Sequence, residues 1–132
     1  MNVVIDASAV IAVILEEPEK AFLISQTKNA TLIAPNSLHW EVGNAFSLMF
    51  KKKRIGLKEA ILAIKIYREI PVQYLNVDLE HALSISHQFG IYAYDAYMLC
   101  CAIDNKATLL TLDESLLDIA QKNKIKVIGG GK

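Results

Sequence analysis

Five short apolar runs divide the sequence, and each of the first four is followed by a stretch with helical spacing. Val3-Val4-Ile5, residues 31–34, residues 72–77, residues 108–112 and Lys126-Val127-Ile128 read as strands. Residues 7–15 read as the first helix, and Glu17-Pro18 as the start of another, with proline in a favoured first-turn position. Residues 37–53 form a long helix with Leu38, Val42, Ala45 and Met49 on one face. Residues 57–69 carry the stripe Leu57, Ala60, Ile61 and Ile64. Asp78 caps a helix bearing Leu79, Ala82 and Leu83, which ends near Gly90. Residues 94–105 present Ala96, Leu99, Cys100 and Ile103, and residues 114–122 form the last helix. Strands alternating with helices predict an α/β fold of three layers, a mostly parallel sheet of four or five strands flanked by helices. In such sheets ligands bind beyond the carboxyl ends of the strands, near the switch in strand order.

The chain has 132 residues, one ordinary domain, so residues 1–132 are read as a single unit. Hydrophobic residues make up 53% and charged residues 21%, which excludes intrinsic disorder. The two cysteines, Cys100 and Cys101, are adjacent, which argues against a disulfide framework or a Cys-type zinc site and points to a reducing cytoplasm. Cys100 falls on an apolar stripe and reads as core rather than nucleophile. The longest early apolar run, residues 7–15, falls short of the ~20 residues a membrane span needs. Asp6 interrupts that region and no basic segment precedes it, so neither a signal peptide nor a membrane anchor is expected. Gly129-Gly130-Gly131 has no helix after it and reads as a tail rather than a phosphate loop.

Chemistry is expected at the acids. Asp6 and Asp113 each stand just past a strand, Asp95 near the opening of a helix, and each position also suits a helix cap. Glu41 differs, because it lies inside a helix among Trp40, Val42 and Ala45, with Asn44 one turn on. Two carboxylates about 5 Å apart repel by roughly 3 kcal/mol at an effective dielectric near 20. Four converging acids would therefore need a counterion, and oxygen ligands select hard cations such as Mg²⁺ or Mn²⁺. His39, His81 and His87 have no zinc spacing and read as surface or packing residues.

With these residues in this order, the chain resembles PIN-domain ribonucleases, and among them the VapC-type toxins of toxin–antitoxin pairs. Val4-Ile5-Asp6-Ala7-Ser8 is similar to the family's first strand, an acid followed two residues later by Ser or Thr. Pro35-x-x-Leu38-x-x-Glu41-x-x-Asn44 resembles the second acidic motif, Tyr94-Asp95-Ala96 the third, and Leu109-Leu110-Thr111-Leu112-Asp113 the fourth. Arg54-x-Gly56 after the long helix also fits the pattern. The resemblance implies a metal-dependent endoribonuclease leaving 3′-hydroxyl and 5′-phosphate ends. Asp6, Glu41, Asp95 and Asp113 would be catalytic and hold one or two Mg²⁺ ions, with Mn²⁺ as a substitute. Ser8 and Thr111 would position them, and Asn44 would support Glu41. It also implies a homodimer and a cognate small antitoxin that covers the acids.

The formal net charge is zero, yet setting aside the four acids leaves 14 basic against 10 acidic residues. Lys51-Lys52-Lys53-Arg54 concentrates positive charge at one helix end, suited to the helix dipole, to solubility or to RNA phosphate. Tyr92, Tyr94 and Tyr97 crowd the third motif, as aromatic packing or as stacking surfaces for bases. Two rivals fit less well. A receiver-type signalling domain expects paired acids after its first strand, whereas Asp6 is unpaired, and an Asp-x-Asp phosphatase fails because residue 8 is serine. A PIN fold that binds RNA or protein without cutting remains the alternative.

Overall fold

A computed structural model describes residues 1–129. Of the expected glycine tail, Gly129 instead ends the last strand, and Gly130 and Gly131 lie outside the described residues. The order is β1 (Asn2–Ile5), α1 (Ala7–Ile14), α2 (Lys20–Thr27), β2 (Thr31–Pro35), α3 (Leu38–Lys51), α4 (Leu57–Glu69), β3 (Val72–Leu75), α5 (Leu79–Phe89), α6 (Ala93–Asp104), β4 (Thr108–Thr111), α7 (Glu114–Lys122) and β5 (Val127–Gly129).

The strands form one sheet, all parallel, in the order β3-β2-β1-β4-β5. The chain thus lays β2 and β3 on one side of β1, then returns to place β4 and β5 on the other. β1 is central, and Val3, Val4 and Ile5 are all buried, as a parallel strand covered on both faces requires. β4 is buried along its whole length for the same reason. With this strand order, the right-handed rule for parallel crossovers assigns α1 to α4 to one face and α5 to α7 to the other. Accordingly α1 packs against α2, α3 and α4, while α6 packs against α5 and lies across β1, β2 and β4. The expected three-layer α/β fold is present, with five strands.

Differences from the sequence-based expectation fall at boundaries and helix faces. Pro18 does not open a helix; it lies in the turn before α2, which begins at Lys20. β3 stops at Leu75 and not at residue 77, because Asn76 and Val77 lead into the Asp78 cap. α6 begins at Ala93 with Tyr92 as its cap, so Asp95 is not the cap but lies in the first turn. The buried face of α4 is Ala60, Ala63 and Tyr67, which leaves Leu57 and Ile61 exposed. On α5, Ala82 and Ile85 are buried while Leu79 and Leu83 are exposed, and on α6 Ile103 is also exposed. Ala60, Ala63 and Ala82 let these helices lie close to their neighbours, and Tyr67 and Ile85 fill the space beside them. Gly90 ends α5 in the left-handed conformation, φ 64°, which glycine adopts without a Cβ penalty.

Cys100 and Cys101 are buried and unbridged. Burial pushes their thiols up to about 12 and about 11, so both stay protonated at neutral pH. Among the described residues no helix is long and apolar enough to cross a membrane.

Leu99 is completely buried on α6, and Leu57 is exposed on α4. Leu99→Ala is expected to cost about 2–5 kcal/mol in denaturant unfolding through the cavity it leaves. Leu57→Ala should stay within about 0.5 kcal/mol of the parent. A loss at Leu57→Ala as large as the one expected at Leu99→Ala would contradict this assignment of the α4 faces.

Candidate functional site

The switch in strand order lies between β1 and β4, and their carboxyl ends adjoin: Ile5 is level with Leu110, and Asp6 N–H donates to the Leu110 carbonyl at 3.3 Å. Asp6 follows β1 directly and Asp113 follows β4 after Leu112. The general rule for ligand sites in open parallel sheets points to this edge.

Asp6 is 5% exposed and caps α1. Its Oδ1 accepts from the Ser8 hydroxyl at 2.7 Å and from Ala9 N–H at 3.0 Å. Its Oδ2 accepts from the Thr111 hydroxyl. Ser8 and Thr111 are themselves held: Leu112 N–H donates to Ser8 Oγ at 2.9 Å, and Asp113 N–H donates to Thr111 Oγ1 at 3.0 Å. One network therefore ties the end of β1 to the end of β4. Asp113 also caps α7, its Oδ1 accepting from Ser115 N–H at 2.9 Å and Leu116 N–H at 3.3 Å. Capping and membership of the acidic group are compatible, since each cap bond engages one oxygen.

Glu41 and Asp95 come from the first turns of α3 and α6, where the helix N-terminus favours a negative charge. Burial lifts the Glu41 carboxyl to about 8, and the charges of Asp6 and Asp95 add to the rise. Burial lifts Asp6 to about 6; its three hydrogen bonds pull it down and the Asp113 charge adds to the rise. Burial and then the Asp113 charge also raise Asp95. Charge thus couples Glu41 to Asp6 and Asp95, and Asp113 to Asp6 and Asp95. Glu41 Oε2 is buried with no hydrogen-bond partner. Such an atom carries a desolvation cost that a cation would offset. No three of these carboxyls bring ligand oxygens within 4.8 Å of one another among the described residues. A hydrated hard cation keeps several waters and does not require its carboxylates to meet so closely.

The remaining expected residues are placed differently. Asn44 is exposed, and no hydrogen bond joins it to Glu41 among the described residues. Trp40 is also exposed, so it does not enclose Glu41. Lys51, Lys52, Lys53 and Arg54 are all exposed at the far end of α3, about 15 Å along the helix from Glu41 by helical rise. Tyr92 is 88% exposed, while Tyr94 and Tyr97 meet edge to face at 6.0 Å. His39 packs between tyrosines: its Nδ1 lies 2.9 Å from the Tyr67 hydroxyl, and its ring 4.2 Å from that of Tyr74. This bracing of the α3 start by α4 and β3 has no signal in local sequence. Neither does the contact of His81 with Cys100 and Asp104, which joins α5 to α6.

A PIN domain family model matches residues 3–122. The chain belongs to the PIN domain family. No curated protein sequence matches it. Among solved structures it is similar to PAE2754 from Pyrobaculum aerophilum, with 22% identity and a TM-score of 0.69 over 89% of this chain and 78% of that one. It is also similar to VapBC2 from Rickettsia felis, bound to a DNA fragment from its promoter, with 16% identity and a TM-score of 0.69 over 98% of both chains. A third similar structure is Mycobacterium tuberculosis VapC20, a sarcin-ricin loop cleaving toxin, with 14% identity and a TM-score of 0.65 over 89% of this chain and 94% of that one. Identities this low carry the PIN fold.

The raised carboxyls give a signed expectation. Asp6 and Glu41 hold protons in the folded state, to about 6 and about 8, that the unfolded chain releases near 3.8 and 4.5. Stability should therefore fall as pH rises through that window, because the unfolded state binds fewer protons there. Melting curves in chelator should show Tm dropping from about pH 5 to about pH 8. Added Mg²⁺ or Mn²⁺ should restore it, more strongly at the higher pH, and Glu41→Gln should flatten both effects. Each kcal/mol relieved is worth roughly 3–5 °C for a domain near this size. A Tm indifferent to divalent cations at the upper pH would remove the case for a cation among these acids.

Proposed function

We propose that this PIN domain is a metal-dependent endoribonuclease, the toxin of a type II toxin–antitoxin pair, acting in the cytoplasm. It would hydrolyse RNA phosphodiester bonds to 3′-hydroxyl and 5′-phosphate ends. This assignment is supported by the charge coupling among Asp6, Glu41, Asp95 and Asp113 and by a buried Glu41 oxygen left without a donor. Asp6, Glu41, Asp95 and Asp113 would hold Mg²⁺, or Mn²⁺ in its place. The cation would lower the pKa of a bound water and neutralise charge on the scissile phosphate.

The chain's own residues have separable tasks. Ser8, Thr111 and Ala9 N–H fix both oxygens of Asp6, so its carboxylate keeps one orientation. The same donors lower its pKa against burial, and with a value about 6 Asp6 is mostly ionised at neutral pH. Glu41, at about 8, keeps a proton at neutral pH until a cation displaces it. Asp113, anchored through Oδ1 in the α7 cap, stays at the rim. The exposed Lys51 to Arg54 cluster would contact RNA phosphates some distance from the cut.

Partners follow from the same assignment. Among the structures similar to this one is a VapBC2 complex, which supports a cognate antitoxin here. An antitoxin arginine would pair with the carboxylates and compete with the cation. Leu57, Ile61, Leu62 and Ile66 give α4 an exposed apolar face, which supports a homodimer.

The test is cleavage of a total-RNA pool by the purified chain with Mg²⁺ or Mn²⁺, with the new ends mapped. Discrete cuts should vanish in chelator and in folded Asp6→Asn and Asp95→Asn variants, by at least about 100-fold for loss of an electrostatic partner in the transition state. Retained cutting by folded Asp6→Asn would refute the assignment. Binding of RNA without cutting by any metal-loaded preparation, with a co-purified partner excluded by mass spectrometry, would favour a non-cleaving PIN module.

A further inference from the structure

A second donor cluster lies in the α5–α6 seam, built from residues the acidic site does not use. His81 on α5 and Cys100 and Asp104 on α6 place one ligand atom each within 4.8 Å of one another. Cys100 Sγ lies 3.4 Å from His81 Nδ1 and 3.3 Å from Asp104 Oδ2. His81 Nδ1 lies 3.0 Å from Asp104 Oδ1. Cys100 is fully buried, while the His81 and Asp104 side chains are about two-fifths exposed, at 38% and 40%, so the cluster opens to solvent on one side.

The geometry points to a binding site for a borderline divalent cation, Zn²⁺ by preference, held by His81 Nδ1, Cys100 Sγ and an Asp104 oxygen. A tetrahedral zinc with Zn–S about 2.3 Å and Zn–N or Zn–O about 2.0–2.1 Å sets its ligands roughly 3.3–3.6 Å apart. The Sγ–Nδ1 separation, 3.4 Å, lies in that range; Asp104 meets His81 through Oδ1 at 3.0 Å and Cys100 through Oδ2 at 3.3 Å, so a small turn of its carboxylate would present one oxygen to the ion. A thiol, an imidazole and one carboxylate form a mixed donor set that favours zinc over magnesium. Three protein ligands leave a fourth position, on the open side, for water.

A nucleophile relay fits the same residues poorly. In a relay the imidazole uses one nitrogen for the thiol and the other for the acid. Here Cys100 and Asp104 approach the same nitrogen. Without a cation, two protons hold the cluster together: Nδ1–H directed to Asp104 Oδ1, and S–H directed to Oδ2. On binding, the thiol proton leaves to solvent and the imidazole proton moves from Nδ1 to Nε2, freeing both lone pairs for the ion. The ion would pin α5 to α6, the helix that carries Asp95 five residues before Cys100.

Co²⁺ titration of the full chain under a non-thiol reductant tests this, because a thiolate bound to Co²⁺ gives a charge-transfer band that oxygen ligands do not. The band is expected in the parent, in Cys101→Ser and in Asp6→Asn, and should disappear in Cys100→Ser. His81→Ala and Asp104→Asn, changed at half-exposed positions, should weaken Co²⁺ binding at the band. Equilibrium dialysis should retain Zn²⁺ against excess Mg²⁺ in Asp6→Asn but not in His81→Ala. No band in the parent, a band persisting in folded Cys100→Ser, or undiminished affinity in both His81→Ala and Asp104→Asn would overturn the assignment.

Discussion

The desolvated carboxyl of Asp6 is the constraint around which the site is built. Because β1 occupies the centre of the sheet, the residue that follows it emerges into a covered crevice rather than into water. A carboxylate there is costly unless donors meet it. Two of the three donors come from the first turn of α1, and the third from the end of β4, about a hundred residues later. Satisfying Asp6 therefore requires β1, α1 and β4 to be in register at once. The backbone bonds to Ser8 and Thr111 then carry that register on to Leu112 and Asp113. Orientation of the acids and closure of the sheet's central pair are one event.

Glu41 shows the opposite situation. Asp6 has donors for both oxygens, whereas one Glu41 oxygen is buried with none, and its neighbours are acids. The fold nevertheless keeps it in place, since Leu38, Val42 and Phe46 bury the core side of α3 and His39 is braced against Tyr67 and Tyr74. Packing on one face of α3 thus holds a desolvated, protonated carboxyl on another. Strain of this kind is characteristic of a site awaiting an ion, and it makes the local electrostatics depend on pH in a way the hydrophobic core does not.

Helix α6 presents two unlike sets of donors. Its first turn gives Asp95 to an all-oxygen group of acids, and its later turns give Cys100 and Asp104 to a mixed group with His81. Hard and borderline cations would be sorted between them by ligand chemistry rather than by affinity alone. The sheet lies between α6 and the helices α1 to α4, so changes in the α5–α6 seam would reach the acids through the position of α6 on β1, β2 and β4.

Sequence alone determined the fold class, because apolar runs of strand length alternate with helical stripes, and a parallel sheet with crossovers is the economical way to bury both. It also singled out Asp6, Glu41, Asp95 and Asp113, since an acid just past a buried strand or inside an apolar helix stands out locally. The supporting places of Ser8 and Thr111 came from the resemblance to PIN-domain motifs rather than from the residues alone. Tertiary structure decided what depends on contacts between distant segments. Which face of α4 is buried turned on close approach by Ala60 and Ala63, so Leu57 and Ile61 were left outside. The spacing that pairs Asn44 with Glu41 on a helix did not produce a bond, because Asn44 turns to solvent. Tyr67 and Tyr74 reach His39, and His81 reaches Cys100, across separate elements. Helical and strand periodicities are local and can be read along a chain, but burial and ligand convergence are properties of neighbours, and only packing chooses those.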